Sequence, residues 1–177
     1  MRSMSRAALV LAATLFATPA LRAQASFGIA AGAAVPVGST ADGYKLGYNV
    51  TGSLGFKPPL APIGLRIDGM WNAMDAKGTS GASLRTLAGT ANLTLSGVGM
   101  PIPMTYLIGG VGMYNSKLTG LPAGFTSAGT TDLGFNIGAG INIPLTGFGT
   151  HLEARLHYVK SKGSSMKFIP ITFGITF

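Results

Sequence analysis

The sequence contains no cysteine, so it offers neither a disulfide framework nor a thiol for catalysis or lipoprotein acylation. Charged residues are also scarce: they make up 10% of the 177 residues, whereas soluble domains carry about 25%. A soluble protein so poor in charge could hardly cover its surface with polar groups. After the first 25 residues, no apolar run approaches the ~18 residues that a membrane-spanning helix requires. These absences favour a chain that faces lipid with alternating strands.

The start of the chain is typical of a secretory signal peptide. A basic segment precedes an apolar stretch over residues 7–16, and a proline and small residues follow it. We expect residues 1–23 to be the signal peptide, with cleavage after Ala23 or Ala25, and residues 26–177 to be the mature domain. Removal of the signal leaves ten Lys and Arg against five Asp and Glu, near +5. This diffuse charge argues against a nucleic-acid partner.

Most of the remaining sequence alternates between apolar and polar residues. About eight segments reach the ~9–11 residues that a tilted strand needs to cross a bilayer. In the second, Tyr48 and Val50 alternate with Asn49 and Thr51. Short turns rich in proline and glycine follow the second, fourth and sixth segments, whereas the other connections are polar and two of them are longer. This asymmetry predicts an all-β protein, an eight-stranded antiparallel up-and-down transmembrane β-barrel.

Two segments do not follow the alternation simply. The fifth, over residues 105–114, is apolar on both faces, so its orientation stays open. The eighth contains Pro170, which lacks a backbone donor, so that either pairing begins after it or a bulge accommodates it.

The four polar connections are expected at residues 38–43, 75–83, 115–131 and 160–167, on the extracellular side. They carry basic residues that could face the phosphates of lipopolysaccharide. These residues are Lys77, Lys117, Lys160, Lys162 and Lys167.

Aromatic residues fall at the ends of the predicted strands, on the parity that faces outward. Aromatic side chains collect in girdles at the two surfaces of a membrane. The predicted girdle consists of Phe27, Tyr44, Phe56, Trp71, Tyr158 and Phe177. A soluble β-sandwich would instead concentrate its rings in one core.

The lumen-facing parity gathers the few charged residues of the predicted strands. The set consists of Arg66, Asp68, His151, Glu153, Arg155 and His157. A His/Glu/His series suggests a metal or acid–base site. However, alternate residues on a strand lie ~6.5–7 Å apart, too far for a compact site. We therefore interpret the six residues as an ion-pair network that fills the lumen, and we expect no catalytic residue, metal or cofactor.

The end of the sequence carries a resemblance to a known family. Phe173, Ile175 and Phe177 lie on one face of the last segment, and Phe177 is the final residue. With the segment Tyr-Leu-Ile-Gly-Gly-Val-Gly at residues 106–112, the mature chain resembles the small outer-membrane β-barrels of the OmpA-membrane-domain, OmpX and OmpW type. The resemblance implies an outer-membrane location, a monomer among membrane lipids and lipopolysaccharide, and a last strand recognised by the barrel-assembly machinery during insertion.

The resemblance leaves three functions open. The favoured one is a structural or surface-interaction role with a lumen filled by charges. The second is a narrow pore for small or apolar solutes, as in OmpW-type barrels. A route for apolar solutes requires an apolar patch in the lumen, and Met70 and Met74 are the only residues that suggest one. The third is a lipid A-modifying enzyme. The deacylases of that type have a serine two residues from their histidine, whereas Val159 follows His157 here.

Overall fold

The computed structural model describes residues 25–59, 61–78, 81–97, 104–121, 127–145, 148–161 and 163–177. The expected signal peptide (residues 1–23) and Lys162 lie outside the described residues. Within these ranges, eight strands and one short helix follow one another. They are β1 (Ala25–Pro36), α1 (Ser39–Gly43), β2 (Gly47–Phe56), β3 (Ile63–Asp75), β4 (Ser83–Ser96), β5 (Thr105–Thr119), β6 (Thr130–Leu145), β7 (Phe148–Ser161) and β8 (Ser164–Thr176).

The strands form a closed barrel in sequence order. Each strand pairs antiparallel with the next, and β1 pairs antiparallel with β8. Closure pairs the backbone donors and acceptors that an open sheet would leave at its edges. The predicted eight-stranded antiparallel barrel is confirmed. Within the described parts of the chain, no helix is both long and apolar enough to cross a membrane.

Polar and apolar residues are distributed in the reverse of a soluble protein. Large apolar side chains lie on the outside of the barrel, where Leu133 is 72% exposed and Val111 is 66% exposed. Around the middle of the barrel, the charged side chains lie inside, where Asp68, Glu153 and Arg155 are each at most 4% exposed. The period of two in each strand produces this arrangement, because successive side chains point to opposite faces. A surface of this kind is suited to lipid rather than to water.

The two rims of the barrel differ. The turn rim carries Ala25, the first described residue, Phe177, and the connections from β2 to β3, β4 to β5 and β6 to β7. The loop rim carries the other four connections. Several strands continue further toward the loop rim than expected: β5 extends to Thr119, β7 to Ser161, and β8 already begins at Ser164. The expected loops at residues 115–131 and 160–167 are therefore too long. Beyond the apolar band, the outward face is polar, as at Lys117 and Lys167, and the lumen face mixes serine with apolar residues such as Leu118. Alternation therefore no longer reveals the strand.

The orientation of β5 follows from its exposure pattern. Tyr106, Ile108 and Tyr114 are buried in the lumen, whereas Leu107 and Val111 are exposed on the outside. The sequence left this orientation open because both faces of the strand are apolar or small.

Pro170 lies within β8 without a bulge. Its Cα partner on β1 is Ala34, and the ladder to β7 is interrupted between Ile171 and Phe168. The register is the same on both sides of the interruption, which lies where the proline has no N–H to donate. The structure therefore shows neither of the two expected arrangements, which were pairing that begins after Pro170 and a bulge.

Candidate functional site

Four charged side chains meet in the lumen, two from β3 and two from β7. Arg155 Nη1 lies 2.7 Å from Asp68 Oδ2, and Arg155 Nε lies 2.8 Å from Glu153 Oε1. Arg66 Nη2 lies 2.8 Å from Glu153 Oε1, and Arg66 Nε lies 3.0 Å from Asp68 Oδ1. Each residue thus contacts two of opposite charge, and we call the four residues the ion-pair ring. In a closed barrel of eight strands, β3 and β7 are on opposite walls, so the ring spans the lumen.

Uncharged side chains add hydrogen bonds to the ring. The Tyr106 hydroxyl on β5 donates to Glu153 Oε2 at 2.7 Å, and Asn92 Nδ2 on β4 donates to Asp68 Oδ2 at 3.0 Å. Asn136 on β6 in turn donates to Asn92 Oδ1 at 2.8 Å. Buried charges are tolerated only when they are paired and hydrogen-bonded, and the ring contains two positive and two negative groups.

Glycines on β6 provide the room for the ion-pair ring and its hydrogen-bonding partners. A Cβ at Gly138 would lie 2.5 Å from Cγ of Arg155, and one at Gly140 would lie 2.6 Å from Cε1 of Tyr106. Both distances are too short for a real side chain. The glycines therefore allow the long side chains from neighbouring strands to lie flat against the wall.

The two histidines lie on either side of the ring. His151 lies toward the turn rim, where its Nδ1 is 3.5 Å from Thr176 Oγ1. His157 lies toward the loop rim, where its Nδ1 is 2.8 Å from the Tyr114 hydroxyl and its ring stacks on Phe168 at 5.0 Å. Neither histidine forms an ion pair with the described residues, so the structure does not join all six expected residues into one network. Their spacing along β7 separates them from the four charges.

An apolar layer covers the ring on the side of the loop rim. Its buried members come from β1, β3, β4, β5, β7 and β8: Ala34, Met70, Met74, Leu84, Ala88, Tyr114, Val159 and Phe168. Of these residues, only Met70 and Met74 belong to the apolar lumen patch expected from the sequence. The alternation on β7 and β8 also predicts Val159 and Phe168 inside, because each is adjacent in sequence to an outward residue, Tyr158 and Ile169 respectively. Tyr114 required the orientation of β5.

The rings expected in the aromatic girdle lie on the outer face with one exception. Phe27 and Phe177 are exposed and joined by two backbone hydrogen bonds of 3.1 and 2.8 Å at the turn rim. Phe56 is half-buried and on the outward parity of β2. Trp71 contacts Tyr48 edge to face at 5.2 Å, and Tyr158 stacks on Phe135 at 5.0 Å. Both partners, Tyr48 and Phe135, are exposed on the outer face and extend the expected girdle.

Tyr44 is the exception and corrects the expected girdle. It packs partly buried against the apolar layer of the lumen. Tyr44 follows α1 and forms only an isolated bridge with Ala76, so it belongs to no strand and the parity of β2 does not extend to it.

The basic residues expected in loops lie mostly on strands. Lys117 lies on β5, Lys160 on β7 and Lys167 on β8, where its Nζ is 5.4 Å from the centre of the Tyr158 ring. Lys77 remains in a connection and donates to the Ala41 carbonyl at 2.6 Å. Because Lys117, Lys160 and Lys167 share the outward parity, they lie on the outer wall near the loop rim.

Comparison with known proteins agrees with this architecture. The structure is similar to Neisserial surface protein A (TM-score 0.61, 12% identity, covering 86% of this chain and 95% of that chain). It is also similar to the Yersinia pestis outer membrane protein Ail in a phospholipid bilayer nanodisc (TM-score 0.56, 14% identity, 87% of this chain and 100% of that chain). A third similar structure is a major outer membrane protein from Thermus thermophilus (TM-score 0.52, 13% identity, 86% and 98%). No curated protein matches the sequence.

The sequence itself matches the family described as the outer membrane protein beta-barrel domain over residues 8–177. Barrels of this kind have short periplasmic turns and longer extracellular loops, so the turn rim faces the periplasm and the loop rim faces outward. The chain therefore belongs to the outer membrane protein β-barrel family and is located in the bacterial outer membrane.

Proposed function

We propose that this barrel is a non-enzymatic protein of the outer membrane with a closed lumen, and that its role is structural and exerted at its outer surface. The observation that carries the proposal is the ion-pair ring between opposite walls, Arg66 and Asp68 on β3 with Glu153 and Arg155 on β7. An eight-stranded barrel is only wide enough for side chains to fill its interior. Four side chains that contact one another across the lumen leave little room for a solute at this level.

The position of His157 supports the non-enzymatic part of the proposal. This histidine is completely buried between Tyr114 and Phe168, and Val159 shares its face two residues further on. A histidine that acts on lipid A would need a neighbouring nucleophile and access to lipid, and the parity of β7 turns His157 away from the lipid.

Conductance in planar bilayers tests the closed lumen. We expect the wild-type chain to give no discrete conductance steps. The triple variant Asp68→Ala/Arg155→Ala/Phe168→Ala removes one charge of each sign from the ring and a bulky side chain from the apolar layer that closes the lumen above it. It keeps Arg66 paired with Glu153 and should admit water and produce steps. Ile67→Ala is the matched control, because Ile67 lies on the same strand as Asp68 but faces outward with 62% exposure. Steps of equal size from the wild type and the triple variant would refute the proposal.

The outer surface carries a second feature, which we call the basic collar: Arg85, Lys117, Lys160 and Lys167. Arg85 and Lys117 are direct cross-strand partners on β4 and β5, and both are exposed. Like charges directly opposite one another are destabilising unless an anion bridges them. On the outer wall, Arg85 is the next outward residue after the exposed Leu87 in the direction of the loop rim, and Lys160 is the next after Tyr158. The basic collar therefore lies where the apolar band ends.

The lipid on that side of an outer membrane is lipopolysaccharide, whose phosphates lie at the border of the apolar region. We infer that the basic collar binds these phosphates. The full chain, folded into phosphatidylcholine vesicles with or without lipopolysaccharide, should unfold at a higher temperature when lipopolysaccharide is present. The heat-dependent shift in gel mobility gives the midpoint.

The variant Arg85→Gln/Lys117→Gln should lose part of this increase, because the bridged pair is removed. Lys57→Gln is the control, since Lys57 is exposed at the turn rim, at the opposite end of the barrel, and donates to Ser96 Oγ at 2.6 Å. An equal increase for the wild type and the collar variant would contradict the role of the collar.

A further inference from the structure

A cavity of about 450 Å³ lies in the lumen at the loop rim, above the apolar layer. Leu84 and Val159, two members of that layer, line its inner end, and the half-buried side chains of Tyr44, Leu118 and Met166 add to its wall. Its volume is within the ~300–1,000 Å³ that small-molecule sites have in proteins. The inner end is therefore apolar, and the loop rim is the open end.

The wall nearer the loop rim is polar. Hydroxyl groups come from Ser116, Thr130, Ser161 and Ser164, on four different strands. Such groups both donate and accept hydrogen bonds. A bound molecule would thus meet apolar surface at one end and hydroxyl groups at the other, which suits an amphiphilic molecule of small size.

One charged group lines the cavity among the described residues, namely Asp132 on β6. It has the lumen-facing parity and lies opposite Tyr114 in the β5–β6 register. None of the ion pairs between described residues includes Asp132. The neighbouring lysines of the basic collar, Lys117 and Lys160, face outward and so turn their charges away from the cavity.

The cavity is closed below. His157 and Phe168 stack on each other, the Tyr114 hydroxyl contacts His157, and the ion-pair ring lies beneath them. A second cavity, of about 190 Å³, lies on the other side of the ring at the turn rim, and it shares no lining residue with the first. A molecule that enters at the loop rim therefore stays on the outer side.

From this arrangement we infer that the loop-rim cavity binds small organic amines from the external medium, with the ammonium group at Asp132 and the apolar part against Leu84 and Val159. Charge complementarity selects the amine, because a carboxylate without an ion-pair partner among the described residues attracts a cation and repels an anion. This binding is separate from the structural role and from the basic collar, so either can fail without the other.

Calorimetric titration of the full chain in nanodiscs of zwitterionic lipid tests the inference. The probes are 2-phenylethylamine and 3-phenylpropionate, which share a phenyl group and differ in the sign of their charge. Empty nanodiscs give the correction for partition into lipid. We expect saturable binding of the amine and at least tenfold weaker binding of the carboxylate. Absence of saturable amine binding, or equal binding of the two probes, would overturn the inference.

Variants locate the binding. Asp132→Asn keeps the shape of the side chain and should weaken amine binding about tenfold or more, because a hydrogen bond to a charged group is replaced by a neutral one. Asp75→Asn removes an exposed carboxylate at the same rim, outside the cavity, and should leave binding unchanged. Ser116→Phe fills the cavity from β5 and should abolish binding while Asp132 remains. Equal amine affinity in Asp132→Asn and the wild type, or binding retained by a folded Ser116→Phe variant, would count against the cavity.

Discussion

The ion-pair ring predicts a specific pattern of stability in a double-mutant cycle between Asp68 and Arg155, whose side chains are 2.7 Å apart. Asp68→Asn leaves Arg66 and Arg155 with Glu153 as their only carboxylate in the ring. Arg155→Met leaves Asp68 and Glu153 with Arg66 as their only cation. Breaking a buried pair by removal of one partner costs about 3–5 kcal/mol, because an uncompensated charge stays behind. Each single variant should therefore lose about this much free energy of unfolding.

The double variant Asp68→Asn/Arg155→Met should lose no more than either single variant. It keeps one charge of each sign, and Arg66 Nη2 remains 2.8 Å from Glu153 Oε1. If the two sites were independent, the two losses would add up to about 6–10 kcal/mol. The expected coupling energy is thus at least about 3 kcal/mol, at or above the upper end of the range for residues in contact.

Urea unfolding in lipid vesicles measures these free energies. The chain contains one tryptophan, Trp71, which lies on the outer face against Tyr48 and reports the transfer from lipid to water by its fluorescence. The matched control is Ile67→Ala, on β3 between two ring residues but outside the barrel. Additive losses in the double variant would refute the reasoning, since they would mean that the two charges do not compensate each other.

Three further predictions concern single positions. Gly138→Val should destabilise the barrel by about 1–3 kcal/mol in the same unfolding assay, because its Cβ would meet Arg155. Gly69→Val should be neutral or slightly stabilising, since nothing lies within 4 Å of a Cβ at that position. Equal effects of the two variants on the free energy of unfolding would contradict the packing around Gly138. Tyr114→Phe should cost about 1–3 kcal/mol by leaving His157 without its hydrogen bond; an unchanged urea midpoint would contradict this. Phe177→Ala should slow insertion in cells, if the assembly machinery recognises the last strand, with little effect on refolded barrel stability; a wild-type level of the folded, heat-modifiable band would count against recognition.

The strand count, the closure and the composition of the ion-pair ring could be predicted from the sequence. Alternation with a period of two is strong wherever one face meets lipid and the other meets the lumen, as on β3 and β7. That parity alone placed Arg66, Asp68, Glu153 and Arg155 inside. Pairing of buried charges then required them to meet.

The features that could not be predicted are those where this contrast between faces is lost. On β5, both faces are apolar or small, so the sequence does not reveal the inward position of Tyr114. It therefore does not reveal the apolar layer to which Tyr114 belongs. Near the loop rim, the outward face is polar and the lumen face is mixed, so the usual alternation is lost where the strands continue. The sequence therefore predicts loops there and places Lys117 and Lys160 in them rather than on the outer wall. Tyr44 lies outside any strand, and parity carries no information there.

The most direct measurement of the central claim is an NMR spectrum of the arginine side chains in nanodiscs. The described residues include three arginines: Arg66 and Arg155 in the ion-pair ring, and the exposed Arg85 on the outer wall, which serves as an internal control. A closed lumen predicts slow exchange of the guanidinium protons of Arg66 and Arg155 with water, with nuclear Overhauser contacts from Arg155 to Asp68 and from Arg66 to Glu153. Exchange as fast as that of Arg85, without contacts between β3 and β7, would contradict it.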